Sequence, residues 1–496
     1  MKSWKTLAIF GIVLVVLIGV LIGVKQLVPS TSAPTPTPAP APAPLVDVVV
    51  GDVYTATVEN ATGLVSFMTN ESTATDGTKT YTWTVADPAG SYYDASSIAS
   101  AAGSLLNFSV AQEVAANASD LSAFGLADPK VKVTLRMKDG SKHVVAFGDA
   151  APLGAGYYAT VDDTHRIVVV SSSTYSYTQT GVLNLLSTSL PINGVTADNL
   201  LSLDLTRQDG QLISFTLDGT GDSKVWNVKT PVAAAADTTR LDPLIAALVA
   251  IKPSAYVELN PGDLSKYGLD KPRYTIVLRS STGDVTIRIG IDAGSGDAYF
   301  MSSAIPAVFK YTVSSLTNID TSTVNMISKL VYLANIWDIS KVDVSIDGLH
   351  IATTLDVLQS GDAKSGKFTV NGKDASIIDG DGNSYFRAFY VATLSMIVDR
   401  IDTAAKPVDT ADVRIVYTKK ADGSTVTLDF AKTDNGSYYI FRNGVYTGFL
   451  NKSTDFYGTD PTDLGLVPTY NKMLDAMKNA VDGIYATPTP VPTSGG

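Results

Sequence analysis

The 496-residue sequence contains no cysteine. That absence removes disulfides, thiol nucleophiles, thiolate metal sites and a lipid-modified cysteine together. Histidine is nearly as scarce: His143, His165 and His350 are the whole supply, which leaves little room for imidazole chemistry. Charged residues make up only 17% of the chain and sum to −11. A nucleic-acid binder needs a basic face, and no Lys/Arg cluster occurs beyond Lys419 and Lys420. There is no Gly-x-Ser-x-Gly elbow and no His-Glu-x-x-His helix motif. Acidic residues are plentiful, but sequence alone does not pair two of them across a cleft as a glycosidase requires. No catalytic, cofactor-binding or metal-binding residue is therefore assigned, no cofactor is expected, and the chain is read as a non-enzyme.

What is present favours strands. Apolar residues reach 45%, and the 23 tyrosines outnumber the 15 phenylalanines. Thr, Ser, Val and Gly are frequent, a mixture that suits pleated, half-exposed strands better than long helices. The length allows roughly three domains of about 150 residues each.

The N-terminus carries an address. Lys2 and Lys5 precede an uncharged run of 18 residues, Leu7 to Val24. At about 1.5 Å per residue it spans roughly 27 Å, close to the hydrocarbon thickness of a bilayer. Positive charge on the short side keeps residues 1–6 in the cytoplasm. A cleaved signal peptide is the alternative, but its apolar region is usually shorter, and the small-residue site at Ser32 and Ala33 is crowded by Pro34. The expectation is a single-pass signal anchor in the cell membrane, with the bulk extracytoplasmic. From Pro34 to Pro44 proline occupies every second position. This fixes φ and removes ladder donors, so the 25–45 linker reads as a stiff polyproline II spacer. A second proline-rich stretch, in 485–496, reads as a disordered tail.

Between them lies an internal repeat. At a fixed offset of 143, Trp83 pairs with Trp226, Pro88 with Pro231, Ile98 with Leu241 and Leu105 with Leu248. Leu121-Ser-Ala-Phe-Gly-Leu-Ala-Asp-Pro129 likewise pairs with Leu264-Ser-Lys-Tyr-Gly-Leu-Asp-Lys-Pro272. A third, weaker copy starts near Lys341: Phe368-Thr-Val stands where Trp83-Thr-Val stood, but the aromatic-Gly-Leu-x-x-Pro corner is missing. Each copy closes on glycine followed by aromatics: Tyr157 and Tyr158, Tyr299 and Phe300, Tyr438 and Tyr439.

Each copy reads as α+β. A hairpin turning at an Asp-Gly pair such as Asp209-Gly210 comes first. A Trp-bearing strand and then a helix follow; in the second copy Leu241, Leu244, Ile245, Leu248 and Val249 form the i, i+3, i+4, i+7 stripe. After the corner, Val131, Val133 and Leu135 alternate before a turn at Asp139-Gly140. Short connections imply antiparallel sheets with one packed helix each. Trp83 and Trp226 are expected in the core. Gly125 and Gly268 are expected at positive φ. The predicted order is repeat unit 1 at 46–195, unit 2 at 196–340 and a divergent unit 3 at 341–484.

The order Trp-x-Val…Pro, helix, aromatic-Gly-Leu-x-x-Pro, paired strands, Gly-x-x-Tyr resembles the domain-of-unknown-function family 4340. The resemblance covers 64–320 as two copies and 341–455 loosely. It implies a bacterial envelope protein with an N-terminal anchor and no assigned catalytic residues. It also suggests an auxiliary role beside an ABC transporter.

Two chemical motifs fall short. Gly361 to Lys367 fits the first seven positions of a phosphate loop, but Phe368 stands where Ser or Thr must hold magnesium. Asp379, Asp381 and Asn383 offer oxygens at alternate positions, but the acidic residue a calcium loop needs at its twelfth position is Tyr390. The functional expectation is a non-enzymatic, membrane-anchored scaffold that engages an envelope protein or transporter complex through its repeats, and no nucleic acid. The recurring aromatic pairs support an alternative, a carbohydrate or cell-wall binding module. An unidentified hydrolase ranks third.

Overall fold

A computed structural model describes residues 44–162, 164–358, 366–459 and 465–481. The expected anchor at 7–24, most of the proline-rich linker, positions 361–365 of the phosphate-loop-like segment and the tail at 485–496 lie outside these residues. Among the described residues no helix is long and apolar enough to cross a membrane. They fall into two compact units, one of 44–90 with 95–182 and one of 91–94 with 183–481.

The first unit holds an eight-stranded antiparallel sheet. Its strands lie in the order Lys79–Asp87, Gly63–Thr73, Val53–Asn60, Val131–Met137, Lys142–Ala151, Gly156–Val161, Ile167–Val170, Gln112–Ala115. The chain thus lays a three-strand meander, crosses through the helix Ala95–Ser104, and returns to lay a second meander on the other side of its first strand. The alternation read from the sequence sets the faces: Val131, Val133 and Leu135 are buried while Lys132 and Arg136 are exposed. The helix buries Ile98 and Ala102 and packs on the Trp-bearing strand, where Trp83 is also buried.

The second unit contains two nine-stranded sheets of the same order. Leu200–Arg207 opens the second sheet of the chain and Ile339–Ile346 the third. Each gains a two-residue strand on its outer edge, Ala234–Ala235 or Lys373–Asp374. In the second sheet the helix Thr238–Val249 turns Leu241, Leu244, Ile245 and Leu248 inward, and the Asp237 carboxylate caps it by accepting from Thr239 N. Trp226, expected in the core, is only half-buried and packs against it from the rim. In the third sheet Phe368 takes the tryptophan's place, 2% exposed and stacked on Phe386 of the helix Tyr385–Leu394 at 4.4 Å. A C-terminal helix, Leu466–Val481, packs on that helix, with Phe389 and Tyr470 in ring contact. One continuous apolar core runs from Ile192 to Met477 and joins both sheets.

Three details recur in all three sheets. A β-bulge interrupts the first strand at its start, between Val53 and Thr55, Leu200 and Ser202, and Ile339 and Lys341. The residue before that strand accepts a backbone bond from the following meander's turn: Lys138 N to Asp52 O, Ser281 N to Asn199 O, Lys420 N to Asp338 O. The end of the first strand also clasps the segment that leaves the sheet. Asn60 Nδ2 donates to the carbonyls of Thr178 and Thr180, Arg207 Nη2 donates to those of Ile319 and Thr321, and Tyr457 Oη donates to the Asp347 carboxylate.

The corner explains why its residues travel together. Gly125 and Gly268 close short turns at φ 69° and 64°. The turns lie directly on Gly148 and Gly290, where a Cβ would stand 2.1 Å from Phe124 O and 2.0 Å from Tyr267 O. Pro88 and Pro231 both follow cis peptide bonds. The third sheet replaces that proline with a tight hairpin at Asn371-Gly372, both at positive φ, and replaces the corner with an irregular stretch before Val413.

Candidate functional site

The recurring aromatic pairs point partly into the cores. Phe300 and Tyr438 are buried, Phe300 against Phe309 and Tyr311, Tyr438 against Phe456. Tyr157 stacks on Tyr175 with ring centres 3.6 Å apart. The remaining rings are half-buried, and in the first two sheets they meet the corner aromatic edge-on: Tyr158 with Phe124 at 5.0 Å, Tyr299 with Tyr267 at 4.9 Å. Tyr439, which has no corner to meet, packs on Tyr446. Each of the six rings therefore has a ring of its own chain beside it. Lys266 and the Tyr267 hydroxyl both donate to Glu258, which holds that carboxyl below its ordinary range.

The acidic loop is equally engaged in itself. Asp379 accepts from the backbone N–H groups of Asp381 and Asn383 and from Asn383 Nδ2. The bonds from Asn383 lower the Asp379 pKa. Tyr390, at the loop's twelfth position, is buried in the helix Tyr385–Leu394. Among the described residues no group of three or more His, Asp or Glu could hold a metal ion.

A carboxyl pair forms in the third sheet, and no sequence motif announces it. Asp429 is 2% exposed and takes a two-pronged bond from Arg414, Nε to Oδ1 at 2.5 Å and Nη2 to Oδ2 at 3.1 Å. Asp409, from the stretch that replaces the corner, is exposed, and partial desolvation and the Asp429 charge hold its carboxyl above the ordinary range. Arg414 and Asp429 stand opposite one another on neighbouring strands, so the cluster reads as a fastening of the sheet.

Among the described residues a concave surface lies at the start of the third sheet. Here the connector Tyr332–Asn335, the turn Ile336–Asp338 and the strand end at Lys419, Lys420 and Ala421 enclose a groove of about 670 Å³. Trp337 and Tyr332 are half-buried in its wall, and Leu333 stands at its rim, 70% exposed. Tyr332 is fixed by Tyr417 at 4.8 Å and by the Arg442 guanidinium over its ring at 5.4 Å. Tyr390 Oη donates to Ala334 O at 2.9 Å and ties the connector to the helix behind it. Lys420 Nζ is engaged by Asp356 and by Val357 O. The Lys419 side chain makes no hydrogen bond or close ion pair among the described residues. Its charge acts on Asp422, whose carboxylate is itself taken by Ser424. The dibasic pair of the sequence thus sits on the groove, but the connector read as a boundary and nothing singled out its apolar residues. Their signal was three large apolar residues, Tyr332, Leu333 and Trp337, where a linker would be polar.

These features define, among the described residues, tandem antiparallel sheet units with internally paired aromatics and an open groove at the third sheet whose wall carries Tyr332, Leu333 and Trp337. The model of the family described as Domain of unknown function (DUF4340) matches residues 83–224 and 226–345, and the chain belongs to that family. Both matches begin on the tryptophan, at Trp83 and Trp226, and run into the first strands of the next sheet, so the sequence repeat is out of phase with the sheets. No curated protein matches the chain. No solved structure matches it either.

Proposed function

We propose that this protein is a non-enzymatic docking scaffold of the cell envelope, tethered by the uncharged run at 7–24 and engaging another protein through its repeats. The groove at Tyr332, Leu333 and Trp337 carries the reading. A leucine 70% exposed beside two half-buried aromatic rings is an arrangement that a binding surface uses and a solvated linker does not. The carbohydrate-binding alternative has less support, because the recurrent rings lie against other rings of the chain.

The test is a photo-crosslinking amino acid at Leu333 of the full chain, in cells that produce it. The expected result is a discrete adduct with one protein, which in purified form binds the unmodified chain but not Leu333→Asp. Adducts with only lipid or with the chain itself would overturn the reading. The auxiliary role beside a transporter is a narrower form of the proposal, tested by whether that adduct contains a transporter subunit.

A further inference from the structure

We propose that the groove of the third sheet takes an extended peptide segment bearing a carboxylate next to an apolar side chain; this rests on the docking reading above and names the chemistry of the partner. Three observations favour such a segment. The first is backbone valence. No hydrogen bond among the described residues uses the N–H groups of Tyr332, Leu333, Ala334 or Asn335, although the stretch lines the groove and Asn335 is extended at φ −71° and ψ 139°. Ala334 O and Asn335 O are already taken by Tyr390 Oη and Asp338 N, but a row of N–H groups without partners beside a groove suits strand-like addition, in which a peptide supplies carbonyl acceptors. A lipid chain has none to offer along its length.

The second observation is the apolar floor. Tyr332 and the connector are held from behind, so a seated side chain meets rigid rings at little entropic cost. The third is charge. Lys420 is neutralised by Asp356, and Asp338 faces Asn335. Lys419 is exposed and bonded to no carboxylate among the described residues, and Asp422, an acidic group that its charge reaches, is occupied by Ser424. In a chain of net charge −11 this is a local site for an anion, beside the apolar floor of the same groove. A segment whose apolar side chain rests on Trp337 therefore places a neighbouring carboxylate at Lys419.

The experiment is selection of a random heptapeptide library displayed on phage against the full chain in detergent, with Lys419→Glu and Leu333→Asp as parallel targets. Both positions are exposed, so matching thermal melts of the two variants establish that they are folded. The expected outcome is enrichment of peptides with Asp or Glu beside an aliphatic or aromatic residue. Their affinity should fall at least tenfold on Lys419→Glu and be lost on Leu333→Asp. No enrichment, enrichment of basic or uncharged peptides, or equal binding to Lys419→Glu would overturn the proposal. Binding to phosphatidylglycerol vesicles that needs Leu333, without peptide enrichment, would also overturn it and assign the groove to lipid. A single-protein adduct at Leu333 with no acidic preference among the peptides would remove the ligand class and leave the docking reading standing. Failure of both experiments would remove both.

Discussion

At Gly290 a methyl group would sit 2.0 Å from the carbonyl oxygen of Tyr267, and backbone cannot swing aside as a side-chain tip can. Gly290→Ala should therefore destabilise the second unit by about 3 kcal/mol, the upper end of overpacking costs, measured by urea unfolding. Gly262→Ala, in the same unit, also free of positive φ and meeting open space, serves as the comparison without a clash. Asp409 makes a different prediction at the same scale. Although the residue is exposed at the surface, its carboxyl is held above its ordinary value by partial desolvation and by Asp429. The folded state thus binds its proton more tightly than the unfolded chain, so this group favours folding at low pH and loses that contribution as pH rises through its raised value. Asp409→Asn should raise the melting temperature at neutral pH, and the difference should shrink as pH falls below the ordinary carboxyl range. A melting series across that range checks the sign.

Among the elements, the helices and the alternating strands were legible because their signals are local. The stripe of Leu241, Leu244, Ile245 and Leu248 became the buried face of the second sheet's helix, and Leu244→Ala should cost about 2–5 kcal/mol, read by thermal unfolding. The clasps were not legible. Asn60, Arg207 and Asp347 occupy the same place in three sheets, yet they share no residue type, the third takes a tyrosine hydroxyl where the first two take a pair of backbone carbonyls, and their partners are more than a hundred residues away. No periodicity reports such a bond. Arg207→Ala leaves the carbonyls of Ile319 and Thr321 without their donor and should cost about 1–3 kcal/mol. Hydrogen exchange should speed first in the segment after Thr312. The groove was half legible: its dibasic pair stood out, while its floor lay in what read as a boundary.

For the molecule as a whole, the family match stops at residue 345, yet the third sheet repeats the strand order, bulge and turn bond of the other two. Sequence identity decays at the corner and the cis proline, which are local devices, before the topology changes. The second and third sheets share one apolar core, so a cavity in one is felt by the other. In a chain whose other tryptophans are replaced by phenylalanine, Leu244→Ala should lower the unfolding transition that Trp337 fluorescence reports from the third sheet, by the same amount as the transition of the whole unit. A Trp337 signal that melts unchanged would show the two sheets to be uncoupled.

The clasps also bear on mechanics. Each sheet is entered through a strand flanked on both sides and left through one near an edge, a strand that tension along the chain would peel one bond pair at a time. By tying the exit segment to the opening hairpin, Arg207 diverts that pull onto the sheet's interior, where whole strands must slide together before any one yields.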